Sequence, residues 1–371
     1  MSTAPTAPGP AGSGTRPAEG APARQMILTV TPNPSLDRTI ELTDELRRGE
    51  VQRAARTTDE PGGKGVNVSR ALAASGAETV ALLPGLLDDP VLTALRQRGV
   101  PTVNLPIEQR LRANVTVTEP GGTTTKINEV GPDLGAHVEA LTGLVVEHAP
   151  LASWLVLAGS LPPGLPVTWL ADVVRAVRAA HGDAAPRIAV DSSGAPFAAL
   201  VAAGVRVDLV KPNAEELAEV VGGDAETYER DLDAAVAGAQ RLRELGVGAV
   251  LLTLGSAGAV LVDGTGSWTA AAPRITARST VGAGDSSLAG YLLAEVAGAT
   301  PERRLAQAVA TGAAAAGLPG SDVPALDATD PDAIVVHRLG PPASPVGPPP
   351  TPPGASAPTP VGETVPVPHG A

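Results

Sequence analysis

The chain contains no cysteine, which excludes disulfides, thiolate metal sites and cysteine nucleophiles. Its five histidines are scattered, with no pair spaced as zinc ligands. Any metal it uses is therefore expected to be a hard cation such as Mg²⁺ held by oxygen. No run of about 18 apolar residues occurs, so no membrane span is predicted. The opening MSTAPTAPGPAGSGTRPAEGAPAR lacks the apolar core of a signal peptide, which leaves the cytoplasm as the expected location. Basic charge is short: 27 Lys and Arg face 39 Asp and Glu, a net charge of −12, which argues against a nucleic-acid surface. A nucleotide site is still allowed, because a few local donors can hold a phosphate. Lysine is the scarcest of the charged residues, with Lys64, Lys126 and Lys211 the only examples. A solvated charge can be Lys or Arg, but a compact ammonium beside a phosphate is not always replaceable by a planar guanidinium. Each lysine is therefore a candidate site residue.

What is present organises readily. The 371 residues suffice for one large domain or two ordinary ones, and 43% apolar with 18% charged residues fits a globular protein. Residues 1–24 are rich in Pro, Ala, Gly and Ser and are expected to be disordered, and so is the Pro-dense stretch 339–371. Between them, 25–338 alternates short β-branched runs (MILTVT, TVALLPG, WLVLAGS, RIAVDSS, VDLVKPN) with Ala/Leu-rich helical stretches. That alternation predicts an α/β fold with a doubly wound, mostly parallel sheet flanked by helices. Four segments break the rhythm: RTIEL (38–42), VQRAART (51–57) and the two arms of RANVTVTEPGGTTTKINEV (112–130). They read either as a small separate sheet, a lid over a cleft, or as edge strands of the main sheet.

Four motifs carry the chemistry. In TVGAGDS (280–286), Gly282, Ala283 and Gly284 leave backbone amides unobstructed at a helix mouth, an anion hole for a phosphoryl group. Asp285 stands where it can take a proton from an attacking hydroxyl, although an Asp N-cap after a glycine loop reads the same way. In EPGGKGVNVSRAL (60–72), Gly62, Gly63 and Gly65 allow close backbone approach, while Lys64 and Asn67 supply donors for a polyhydroxylated ligand; a plain loop-to-helix turn is the alternative. The stretch lacks the frame of a Walker loop. In KPNAEEL (211–217), Asn213 and Glu216 lie three apart on a first helical turn, a spacing that suits both a Mg²⁺–phosphate water shell and a capping box. TLGSAGAVLV (253–262) offers a glycine turn where a nucleotide could lie, and also reads as a simple hairpin.

In this order the four motifs resemble the ribokinase-like carbohydrate kinases of the PfkB type over about 26–338. TVTPNPSLDRTIEL (29–42), RLRANVTV (110–117), TKINEVGP (125–132), AGSLPPGLP (158–166) and VDSSG (190–194) resemble its sugar-phosphate branch. One departure is Val130, where relatives often carry proline. The resemblance implies a ribokinase-like fold with a β-sheet lid, and transfer of a phosphoryl group from ATP to a sugar phosphate, either a 1-phosphate or a 6-phosphate. Asp285 would be the general base, with Gly282, Ala283 and Gly284 around the transferring group. Glu216 would act on Mg²⁺ through water, and Lys211, Asn213, Thr253, Gly255 and Gly258 would border ATP. Asp37, Gly63, Lys64, Asn67, Arg112 and Asn114 would bind the sugar, with Lys64 and Arg112 clamping its phosphate. Exposed lid strands would pair in a homodimer. A silent sensor on the same fold is opposed by the intact Asp285 and Glu216.

Overall fold

The computed structural model describes residues 25–340, and the expected N-terminal tail and residues 341–371 lie outside the described residues. The chain runs β1 (Ile27–Val30), β2 (Ser35–Leu42), β3 (Ala54–Gly62), α1 (Lys64–Ala74), β4 (Thr79–Pro84), α2 (Pro90–Gln97) and β5 (Thr102–Leu105). It continues with β6 (Arg112–Thr118), β7 (Thr124–Asn128), α3 (Val138–His148), β8 (Trp154–Ala158), α4 (Trp169–His181), β9 (Arg187–Asp191), α5 (Gly194–Ala202) and β10 (Val207–Val210). Then come α6 (Ala214–Val221), α7 (Ala225–Arg230), α8 (Leu232–Glu244), β11 (Val247–Thr253), β12 (Ala259–Asp263), β13 (Gly266–Ala270), α9 (Ala283–Val296), α10 (Pro301–Ala316) and β14 (Val336–Leu339).

Ten strands form one sheet in the order β14-β13-β12-β11-β10-β9-β8-β1-β4-β5. From β11 to β5 every pairing is parallel; β12, β13 and β14 continue antiparallel. The parallel strands are nearly all apolar because helices cover both faces. Alternate residues feed two cores. Leu28, Val30, Leu155 and Leu157 pack with Leu170 and Val174 of α4 on one face. Ile27, Val156 and Ala158 pack with Leu72, Leu288, Leu292 and Leu305 from α1, α9 and α10 on the other. Parallel pairing also brings the carboxyl ends of the strands to one edge, where doubly wound folds bind ligands.

The four segments that broke the rhythm form their own sheet, in the order β3-β2-β6-β7, with β2 parallel to β6. Two boundaries differ from expectation. Strand β3 begins at Ala54, opposite Leu42 across a register irregularity; Val51 is 98% exposed and lies outside it. The C-terminal boundary expected at 339 also moves, because Leu339 pairs with Ser267 at the sheet edge and its apolar side chain packs on the core.

Candidate active site

Three clusters meet at the carboxyl edge. The first centres on Asp191, the last residue of β9, which is fully buried. Its Oδ1 accepts from Lys64 Nζ at 2.8 Å, and Lys211 Nζ lies 3.0 Å from Oδ2. Two of the three lysines thus meet on one carboxylate. Burial would raise the Asp191 carboxyl, but Lys211 and Lys64 outweigh it and hold it below the usual range. Lys64 Nζ also donates to Glu216 Oε1 at 3.3 Å. Burial opposes the Lys64 charge, yet Asp191 and Glu216 together keep its ammonium well above its ordinary value.

The second cluster is the α9 mouth. Gly282 caps the helix at φ 76 with no side-chain hydrogen bond to the first-turn amides. Among the described residues, the Gly284 and Asp285 amides have no main-chain acceptor, whereas Ala283 N donates to Thr280 O at 3.4 Å. An unsatisfied helix N-terminus attracts an anion. Gly284 also leaves room for an ammonium, since a Cβ there would lie 3.2 Å from Lys211 Nζ. Asp285, 7% exposed, points inward rather than capping its own helix, and its Oδ2 accepts from Asn67 Nδ2 at 2.9 Å. Burial, then the charge of Asp191, push Asp285 up to about 6, against the opposing pull of Asn67, Lys211 and Lys64.

The third cluster sits at the root of the lid. Asp37 Oδ1 accepts from Asn114 Nδ2 at 2.9 Å and from Ser35 Oγ at 2.8 Å. Arg112 Nη1 donates to Asn114 Oδ1 at 3.2 Å, and its Nη2 to Asn33 O at 3.3 Å. Parallel pairing of β2 with β6 sets Asp37 opposite Asn114 and Ser35 opposite Arg112. Burial pulls the Arg112 guanidinium down, with Asp37 opposing. Glycine is required at Gly62, where a Cβ would fall 2.2 Å from the Asp37 carboxylate, and at Gly63, which has φ 109 and Thr31 Cγ2 at 2.8 Å.

Several expectations change at this level. Lys64 and Arg112 form no common clamp: Lys64 is held by Asp191 and Glu216, while Arg112 stays at the lid root. Asn67 spends its amide on Asp285 rather than pointing free into a sugar pocket. Asn213 and Glu216 form the capping box, with Glu216 N donating to Asn213 Oδ1 at 2.8 Å and Asn213 N to Glu216 Oε2 at 2.9 Å. Glu216 Oε1 still faces Lys64, so cap and charge site coexist. Thr253 bridges to Asn213 at the end of β11, and a 3₁₀ turn over Gly255–Ala257 follows. Gly258 has a packing role, because a Cβ would lie 2.0 Å from Ala270 O. Asp191 was not singled out from sequence chemistry: a single acid ending an apolar strand carries no local pattern.

A doubly wound sheet, a small lid sheet and an uncapped helix mouth bearing a buried acid define a kinase of the ribokinase-like class. The model of the pfkB family carbohydrate kinases matches residues 31–328, and the chain belongs to that family. It is 36% identical over 305 residues to a 1-phosphofructokinase of Haloferax volcanii, covering 81% of this chain and 94% of the relative. It is 31% identical over 293 residues to the ATP-dependent 6-phosphofructokinase isozyme 2 of Escherichia coli, covering 78% and 92%. The crystal structure of phosphofructokinase-2 from Escherichia coli in complex with potassium superposes with a TM-score of 0.74 at 30% identity, over 82% of this chain and 96% of that one. No helix among the described residues is long and apolar enough to cross a membrane.

Proposed function

We propose that this chain transfers the terminal phosphoryl group of ATP to the free primary hydroxyl of fructose 1-phosphate, giving fructose 1,6-bisphosphate and ADP. The observation that carries the reading is Asp285: a buried carboxylate, titrating near 6, at a helix mouth whose amides lack a side-chain cap. Asp285 takes the hydroxyl proton as the oxygen attacks phosphorus, and the bond to the leaving ADP oxygen breaks in line. The Gly284 and Asp285 amides and the helix dipole face the charge that develops on the transferring group. Lys211, buried beside Gly284, adds a fixed positive charge there. Lys64 is the more exposed counterpart, able to exchange Glu216 for a phosphate oxygen.

Asp37 and Asn114 hold the sugar hydroxyls, and Arg112 takes the phosphate the substrate already bears. Gly63 lets the sugar approach the backbone, and the lid sheet excludes water that would compete as acceptor. Thr253, Gly255 and Gly258 border ATP, with Asn213 and Glu216 beside its phosphates. The donor set fits Mg²⁺ only at second hand. Glu216 offers carboxylate oxygens already engaged by Lys64 and Asn213, and no three acids or histidines among the described residues gather as a metal site. Glu216 would therefore hold the ion through water, as Mg²⁺ commonly allows. Bound to the phosphates, the ion would neutralise part of their charge. We also infer a homodimer formed through the lid, where Ile127 on β7 is 60% exposed; a monomeric mass in solution would refute it.

The test is an ADP-coupled assay comparing fructose 1-phosphate, tagatose 6-phosphate and fructose 6-phosphate by kcat/KM. Fructose 1-phosphate is expected to lead by at least about tenfold, or about 1.4 kcal/mol of transition-state binding. A lead for fructose 6-phosphate, the reading suggested by the Escherichia coli relative's name, would reverse the sugar's pose and keep the mechanism. No turnover with any of the three would overturn the proposal in favour of a sugar-phosphate sensor.

A further inference from the structure

A second set of polar contacts runs from the lid root to Asp285 through a residue the phosphoryl transfer does not touch. Arg70 lies on α1, one turn beyond Asn67, and is 4% exposed. Its Nη1 donates to Asn67 Oδ1 at 3.3 Å, to Pro61 O at 3.1 Å and to Ser321 O at 3.0 Å. Its Nη2 donates to Glu60 Oε2 at 2.8 Å, which also accepts from Arg98 Nη2 at 2.7 Å. Glu60 and Pro61 belong to β3, and Glu60 pairs in register with Asp37 on β2. One buried guanidinium therefore grips the lid strand beside the sugar-binding acid and the amide beside the base.

The chemistry of the groups makes that grip directional. A guanidinium carries donors only, so it must face the oxygen end of the Asn67 amide. The nitrogen end is then turned outward, and it lies 2.9 Å from Asp285 Oδ2. An amide turned the other way would set its oxygen against the carboxylate and its nitrogen against Arg70, two repulsive contacts in place of two hydrogen bonds. The i, i+3 spacing of Asn67 and Arg70 on α1 places both on one helix face.

We propose that Arg70 is a positioning residue for the general base: it locks the Asn67 amide so that Asn67 aims Asp285, and it ties that aim to the root of lid strand β3. Seating of the lid on the sugar and alignment of the base are then one movement. This inference rests on the reading of Asp285 as the base.

The charged groups around the pair come from several elements. Asp191 at the end of β9, Lys211 after β10 and Lys64 on α1 act on Asp285. Glu60 on β3, Arg98 after α2, Asp322 after α10 and Asp37 on β2 act on Arg70. The Asn67 hydrogen bond favours the ionised base, so its loss moves the acid limb of the rate profile upward.

The test is the pH profile of kcat for Arg70→Met and Arg70→Lys beside the unaltered chain. Arg70→Met is expected to shift the acid limb up by at least about half a pH unit and to lower kcat at pH 7 about tenfold, with the KM for Mg-ATP within about twofold. Arg70→Lys, which keeps a donor and the charge, is expected to bring the limb back toward its original position. A limb unmoved in Arg70→Met, with a drop in kcat uniform in pH, would overturn the proposal. If Arg70→Met fails to fold because it strands Glu60, the double variant Arg70→Gln, Glu60→Gln removes both charges and is read by the same criterion. Asp285→Asn separates the two layers. An acid limb that survives in that variant means the base reading has failed; a limb lost there but unmoved in the Arg70 variants means only the positioning role has.

Discussion

Replacing Asp285 by Asn tests the electrostatics of the site and its chemistry in one protein. Asn keeps the size and an acceptor for Asn67 Nδ2, so the 2.9 Å contact can persist. It removes the charge that burial and Asp191 oppose. The folded chain holds its Asp285 proton up to about 6, whereas an unfolded chain releases it near 3.8. Between those values the native state binds the extra proton, so the ionised carboxylate burdens the fold fully above about pH 6 and not at all below about pH 3.8. At 1.36 kcal/mol for each pH unit of separation, the burden is about 3 kcal/mol. Guanidinium unfolding of Asp285→Asn is therefore expected to show a stability gain of up to about 3 kcal/mol at pH 8 that shrinks steadily toward pH 4. In the coupled assay the same variant should lose at least about a hundredfold in kcat, the range expected for a general base. A stability difference independent of pH would refute the account of Asp285 as a burdened buried acid. Near-normal turnover would refute its role as base, whatever the stability shows.

Two further outcomes follow from the geometry. Arg112→Met should raise the KM for the sugar phosphate by at least about tenfold, the cost of one charge-assisted hydrogen bond, with the KM for Mg-ATP unchanged; equal rises in both would remove Arg112 from the phosphate subsite. Gly258→Ala forces a Cβ to within 2.0 Å of Ala270 O at a φ of +113, so it should cost about 2–4 kcal/mol in thermal unfolding. Gly121→Ala, which meets nothing within 4 Å, is the control.

The layered fold was legible because its signals are local. Apolar runs such as WLVLA and RIAVD, each followed by a helix, specify a parallel sheet without knowledge of strand order. The mouth of α9 was legible for the same reason: Gly282 to Asp285 are contiguous. Partner choice was not. Lys64 meets Asp191 across 127 residues of sequence and Glu216 across 152, and those meetings depend on β9 and β10 lying side by side. The sequence could not show that Lys64 is held by Asp191 at the end of β9 and Glu216 on α6, both more than a hundred residues downstream, while Arg112 stays on amide and main-chain oxygens at the lid root. Asn213 and Glu216 show the opposite case, where two readings of one spacing are realised together: each end of Glu216 serves a different partner.

The poverty in lysine that marks the sequence has a practical consequence at the bench. Lys211 is buried, and Lys64 is held protonated by two acids, so neither offers a free amine to an acylating reagent. Lys126 is exposed on strand β7 of the lid. Besides the α-amino group, one amine-directed dye should therefore mark one strand, and its fluorescence would follow the lid in an otherwise unaltered protein.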